Sequence, residues 1–138
     1  MPARTRRLRI KTAGDGEVAD LTGEMEAALS SSGIKDGVAT VFVPGSTAAV
    51  TTVEFEPGLV QDLKEFFDRI VPKGQRYAHN RGGETNGHAH VRASLVGPSV
   101  SVPVIEGRLA LGTWQQVILI DFDDRPRQRD VVVQITGD

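Results

Sequence analysis

Residues 114–135 read WQQVILIDFDDRPRQRDVVVQI, and the way they divide decides the fold. Trp114–Phe122 is the most strand-prone run of the chain, rich in β-branched and aromatic residues. Asp123–Pro126 has the composition of a turn. Beyond it Arg127–Ile135 alternates, with Val131, Val133 and Ile135 on one face.

Working outward, Ser99–Pro103 alternates as well, Glu106-Gly107 reads as a tight turn, and Arg108–Leu111 returns. Gly37–Pro44 (GVATVFVP) reads as a buried strand, and Gly45–Phe55 continues in a strand-like way after the Pro44-Gly45 turn. Arg4–Thr12 places Leu8 and Ile10 on one side of a strand whose other side is charged. Helical spacing occurs in two main places. Asp20–Ser32 carries Leu21, Met25, Ala28 and Leu29, with Asp20 or Thr22 as cap and Gly33 as stop. Pro57 opens a second helix to about Val71, whose Leu59, Leu63, Phe66, Phe67 and Ile70 form one apolar stripe before Pro72 and Gly74 end it. Ala89–Val96 reads as a short helix with Val91 and Leu95 four apart. Strands at both ends with two main helices between them make an α+β domain on antiparallel sheet, one domain over residues 1–138.

Composition narrows the function. The net charge of −2 supplies no basic field for nucleic acid or a membrane surface, and the basic start RTRRLRIK has the interleaving of a charged strand face. The absence of cysteine removes disulfides, thiolate metal sites and cysteine nucleophiles. With no apolar run of membrane-spanning length and no signal-like start, the expected location is the cytoplasm.

The chemistry concentrates in Ala78–Val91 (AHNRGGETNGHAHV), which holds all three histidines, His79, His88 and His90. Three converging imidazoles would leave a zinc ion one open position, as in a catalytic centre. His88 and His90 share a face if the segment is extended and diverge if it is helical. The plainer alternative is a polar loop with surface histidines. Glu54 stands out in TTVEF as a general base or a partner for an imidazole N–H, or as an outward strand position. Pro44–Thr47 offers backbone amides and the Ser46 and Thr47 hydroxyls to an anion, or is an ordinary turn. Gly112–Gln115 suits close approach of a ligand, although Trp114 could equally fill the core. Arg125 and Arg127 flank a turn, where they could bind phosphate or a neighbouring subunit's carboxylate, or be solvated.

VFVPGSTAAVTTVE, NGHAHVRASLVGPSVSVPVIEGRLALGTWQQVILIDFD and RPRQRDVVVQI, taken in order, resemble the YjbQ-like family, also called the secondary thiamine-phosphate synthase family. The resemblance runs from about Val38 to Ile135, and LALGTWQ is its most specific part. It implies an α+β fold with a β-sandwich-like core, a homotrimer with sites near subunit interfaces, and weak thiamine-phosphate synthase activity. It also implies a divalent metal, often zinc, at the polar cluster. Carried onto this chain, it places His88 and His90 in the family's histidine motif, Glu54 at its acidic position and Thr113, Trp114 and Gln115 in its G-T-W-Q signature. With Asn86 of the polar stretch added, Glu54, His88 and Asn86 are the candidate catalytic residues. His79, His88 and His90 are the candidate metal ligands. Ser46, Thr47, Thr113, Gln115, Arg125 and Arg127 are the candidate substrate contacts. One departure stands out: Gly45 occupies the place where many bacterial members have a histidine.

The implied reaction joins a hydroxymethylpyrimidine diphosphate to a thiazole phosphate and releases pyrophosphate. A diphosphate calls for Mg²⁺, whereas imidazoles prefer zinc. That mismatch keeps two alternatives open: a zinc-dependent hydrolase of an unknown small substrate, and a trimeric metal-binding protein without physiological catalysis.

Overall fold

The computed structural model describes residues 1–138. The run 114–135 is not a hairpin within one sheet. Gln116–Asp121 (β7) is the middle strand of a three-stranded antiparallel sheet, between Glu17–Asp20 (β2) and Ala48–Val53 (β4). After the turn, Arg127–Gly137 (β8) enters a five-stranded sheet with Ala3–Thr12 (β1), Gly37–Phe42 (β3), Ser99–Ile105 (β5) and Arg108–Leu109 (β6). The order there is β1-β8-β3-β5-β6, antiparallel throughout.

The different sequence patterns of the two strands follow from their surroundings. In β7, Val117 and Leu119 enter the core between the sheets, while Ile118 and Ile120 join a second core on the other face. A strand covered on both faces is apolar at every position. In β8 only one face is covered, so buried Val131, Val133 and Ile135 alternate with more exposed residues.

Three helices complete the molecule: Thr22–Ser32 (α1), Pro57–Ile70 (α2) and Gly87–Val96 (α3). The short helix expected at Ala89–Val96 is α3, nearly as long as α1 with 10 residues against 11. Met25, Ala28 and Leu29 of α1 fill the core between the sheets, and Gly33 ends the helix at φ 72°. Asp20 accepts from the Thr22 N–H at 2.9 Å, and the Thr22 hydroxyl accepts from the Val117 N–H, tying the start of α1 to β7. Glu56 caps α2 by accepting from the N–H groups of Gly58 (2.7 Å) and Leu59 (2.8 Å). Phe67 of α2 and Ala89 and Ala93 of α3 cover the outer face of the small sheet against Ala49, Ile118, Ile120 and Phe122. The result is a sandwich of two sheets with a helical layer outside the smaller one.

Two expectations about helix faces change. In α2 only Phe67 of the apolar stripe is buried, while Phe66 and Ile70 are exposed. In α3 the covered face is His88, Ala89, Arg92 and Ala93, and Val91 and Leu95 point outward. Arg92 takes the place a large apolar residue would have. Its guanidinium donates to the Val71 carbonyl at 2.9 and 2.8 Å and to Phe67, binding α3 to the end of α2. Glu17–Asp20, to which the sequence pattern assigns no strand, is a strand because β7 offers it an edge. No helix is long and apolar enough to cross a membrane.

Candidate functional site

The start of α3 is held from outside. Asn86 makes no side-chain cap, but Asn80, in a 3₁₀ turn at Ala78–Gly82, accepts from the Gly87 N–H at 2.9 Å. The turn lies so close that a Cβ on Gly87 would sit 2.5 Å from the Tyr77 Cβ. This contact brings His79 to α3, where its ring centroid is 4.3 Å from that of His90.

His88 does not join that pair. The segment is helical, and positions two apart on a helix do not face each other. His88 is turned inward, 1% exposed and beside Tyr77, whereas His90 is half-buried at the surface. The three-imidazole arrangement is therefore not assembled: no three His, Asp or Glu side chains of one chain are grouped to hold a metal ion. A three-histidine zinc centre does not fit these residues within a single chain.

Burial holds the pKa of His88 below its ordinary value, with Arg92 and then Lys73 adding to the effect against Asp124 and Asp15. Its Nδ1 and the Oδ1 of Asn86 are the two buried side-chain polar atoms with no hydrogen-bond partner in the chain. Asn86 Nδ2 makes only a long contact, 3.5 Å, to Asp123.

Asp123 leads into a buried ionic network that the sequence reading missed. Its Oδ2 accepts from the Thr47 hydroxyl (3.0 Å) and from Arg127 (2.9 Å), and its Oδ1 from the Asp124 N–H (2.8 Å). Burial alone would raise the pKa of Asp123. The donors, led by the Asp124 N–H and followed by Thr47 and Arg127, override it and bring the pKa down to about 2. Next to it Arg129 grips Asp121, which also accepts from the Thr12 hydroxyl at 2.5 Å. Arg129 was discoverable by alternation, because residues 127, 129, 131, 133 and 135 share the inward face of β8. Arg127, expected at a ligand, is already paired within its own chain, and Arg125 is exposed.

The remaining candidates fall at two poles of the small sheet. In the β4–β7 register Ala48 lies opposite Asp121, and Val53 opposite Gln116. Ser46, Thr47, Asp123 and the start of α3 therefore gather at one end. Glu54 and the Gly112–Gln115 bend lie at the other, roughly 20 Å away at about 3.3 Å per residue. There Gln115 donates to Thr52 at 3.1 Å and accepts from the Gly112 N–H at 3.0 Å. Thr113 and Glu54 are exposed, and Trp114 is 74% exposed, so it does not fill the core. Glu54 therefore does not share a pocket with the histidines of its own chain. At the histidine pole a crevice of about 210 Å³ is lined by Gly45, Ser46, His90 and Ser94.

Comparison with known proteins matches this arrangement to others of the same length. The profile of the family described as UPF0047 protein YjbQ-like matches residues 6–138. A UPF0047 protein of Archaeoglobus fulgidus is 42% identical over 127 residues, covering 92% of this chain and 97% of its own. The UPF0047 protein YugU of Bacillus subtilis is 38% identical over 131 residues, covering 94% of this chain and 97% of its own. Among solved structures, a hypothetical protein of Aeropyrum pernix superposes with a TM-score of 0.92 at 37% identity, covering 98% of this chain and 99% of its own. A YbjQ-like protein of unknown function from Sulfolobus solfataricus gives 0.90 at 32% identity, covering 99% of this chain and 100% of its own. With the profile spanning nearly the whole chain and relatives this similar at full length, the chain belongs to the UPF0047 (YjbQ-like) family.

Proposed function

We propose that this protein is a thiamine-phosphate synthase-like transferase acting on small phosphorylated molecules at its histidine pole. The observation that carries the reading is the crevice lined by both Ser46 and His90, with the His79 ring tilted against that of His90. It combines an imidazole pair with the hydroxyl and amide donors of a turn. In the reaction, the thiazole nitrogen donates its lone pair to the methylene carbon of the pyrimidine. The C–O bond breaks with its electron pair and pyrophosphate departs. The demand on the protein is to hold the phosphates and balance the departing charge, which amide and hydroxyl donors fixed in advance do without reorganising.

The poles bear on the expected homotrimer. Exposed Trp114 and Phe55 lie beside Glu54, while exposed Val91 and Leu95 lie on the helix carrying His90. Bringing the Glu54 pole of one chain to the histidine pole of another would cover both sets and complete the site. The same apposition is the proposed source of further donors for a divalent ion at His79 and His90. Zinc suits the imidazoles, and Mg²⁺ would accompany a diphosphate.

The test is turnover. Purified protein given hydroxymethylpyrimidine diphosphate and thiazole phosphate should form thiamine phosphate and pyrophosphate, read by chromatography, and His90→Ala should abolish the product. Absence of product from wild type across added Mg²⁺ and Zn²⁺ would overturn the synthase reading.

A further inference from the structure

Arg129 is 8% exposed and only partly used. Nε and Nη2 lie side-on to Asp121, and Nη2 also donates to the Thr47 hydroxyl at 2.7 Å. Nη1 takes part in none of these bonds. It faces Gly45: a Cβ built there would lie 3.1 Å from Nη1 and meet nothing else within 4 Å. The N–H groups of Gly45 and Ser46, which lie between β3 and β4, have no backbone partner, and the Ser46 side chain is exposed. Gly45 and Ser46 also form the lip of the crevice that holds His90.

We infer that Nη1 of Arg129 and the Gly45–Ser46 turn form an oxyanion subsite for a single phosphoryl group, kept open by the missing side chain at Gly45. For its biological meaning this rests on the reading of a phosphorylated substrate; as a binding site it stands alone. The Asp121 carboxylate, gripped by two N–H groups, and the Thr47 hydroxyl fix the guanidinium plane, so Nη1 is held rigidly and an arriving anion orders little. Asp121 neutralises the charge of Arg129 without covering Nη1. Recognition therefore depends on directed hydrogen bonds more than on net attraction, and free phosphate should bind weakly, in the millimolar range. Gly45 has φ +147°, a conformation that side-chain-bearing residues rarely adopt. Its replacement would both strain the turn and close the approach to Nη1. The 210 Å³ crevice alongside leaves room for the rest of a phosphorylated molecule.

The experiment titrates inorganic phosphate and pyrophosphate into the full protein at constant ionic strength. The Arg129 side-chain resonances and the unfolding temperature are the readouts. Wild type should saturate with a shift of the Arg129 signals. Ser46→Asp, at an exposed position, keeps the fold and places a carboxylate in the nest, so phosphate binding should disappear. Ser46→Ala should weaken it severalfold, and Gly45→Ala roughly tenfold or more, the scale of a charge-assisted hydrogen bond. Arg4→Ala, on β1, should change nothing. Unchanged phosphate affinity in a folded Ser46→Asp protein, or no binding to wild type at tens of millimolar phosphate, overturns the subsite. If phosphate binds as described while no thiamine phosphate is made, the synthase reading fails and the subsite stands. Turnover with no phosphate effect at Arg129 gives the reverse.

Discussion

Arg129 lies side-on against Asp121, Nε to Oδ2 at 2.7 Å and Nη2 to Oδ1 at 2.8 Å, with both side chains almost wholly buried. The pair closes one end of the sandwich, joining β8 of the large sheet to β7 of the small one. Removing one member leaves the other charge stranded out of water. Asp121→Leu should therefore cost about 3–5 kcal/mol of stability, and Arg129→Met a similar amount. Asp121→Leu/Arg129→Met together should cost clearly less than the sum of the single changes. Urea midpoints for the three variants check this, and additive losses would show that the pair is not a unit.

The acid limb of stability should carry the mark of Asp123. Its folded pKa of about 2 lies below the ordinary aspartate value of 3.8, so the unfolded chain binds the proton more readily. Its contribution, about 2 kcal/mol, is complete above the unfolded value and is lost as pH falls through that value toward about 2. Asp123→Asn should lower stability at neutral pH and flatten the curve over that window. Urea unfolding in steps from neutral pH to pH 2 measures it; an unchanged slope would remove Asp123 from the account.

Much of this fold could be read from residue patterns, and the misses share a cause. Alternation in Arg127–Ile135 and the continuous apolar run in β7 identified both strands, because sheet coverage writes itself directly into period and length. What remained hidden depended on partners distant in sequence. Glu17–Asp20 has little strand character and exists by pairing with β7. Arg92 is buried because the Val71 and Phe67 carbonyls at the end of α2 receive it. At the site, the histidine segment stood out by composition, yet the split of His88 from His79 and His90 follows from where α3 begins. The distance from Glu54 to the histidines follows from the β4–β7 register, which no local motif encodes.

Trp114 gives a direct test of association, since it is the only tryptophan and is 74% exposed in the single chain. If the homotrimer covers it, emission at micromolar concentration should be blue-shifted from that of free tryptophan, and Trp114→Glu should lower the mass measured by light scattering. The substitution should leave the isolated fold intact, because Trp114 is in neither hydrophobic core. A wild-type mass of one chain would refute the trimer.

The histidines should separate by role when metal binding and stability are measured side by side. His79 and His90 are adjacent, one exposed and one half-buried, and are the pair proposed to meet a zinc ion. His79→Ala and His90→Ala should each remove most of the zinc that survives gel filtration, with little effect on unfolding. His88 is on the buried face of α3, and His88→Ala should leave the zinc content near wild type while lowering stability through the lost packing. A second readout comes from pH. Burial holds the folded pKa of His88 below 6.5, so the unfolded chain protonates first and stability should rise with pH until about that value. Above it the contribution is complete; as pH falls from it toward the depressed folded value, the contribution is lost. His88→Gln should flatten that segment of the stability curve, and His90→Ala should leave it in place. If zinc is lost from His88→Ala and kept by His79→Ala, the divided arrangement is wrong, and His88 must swing outward to the metal when it binds.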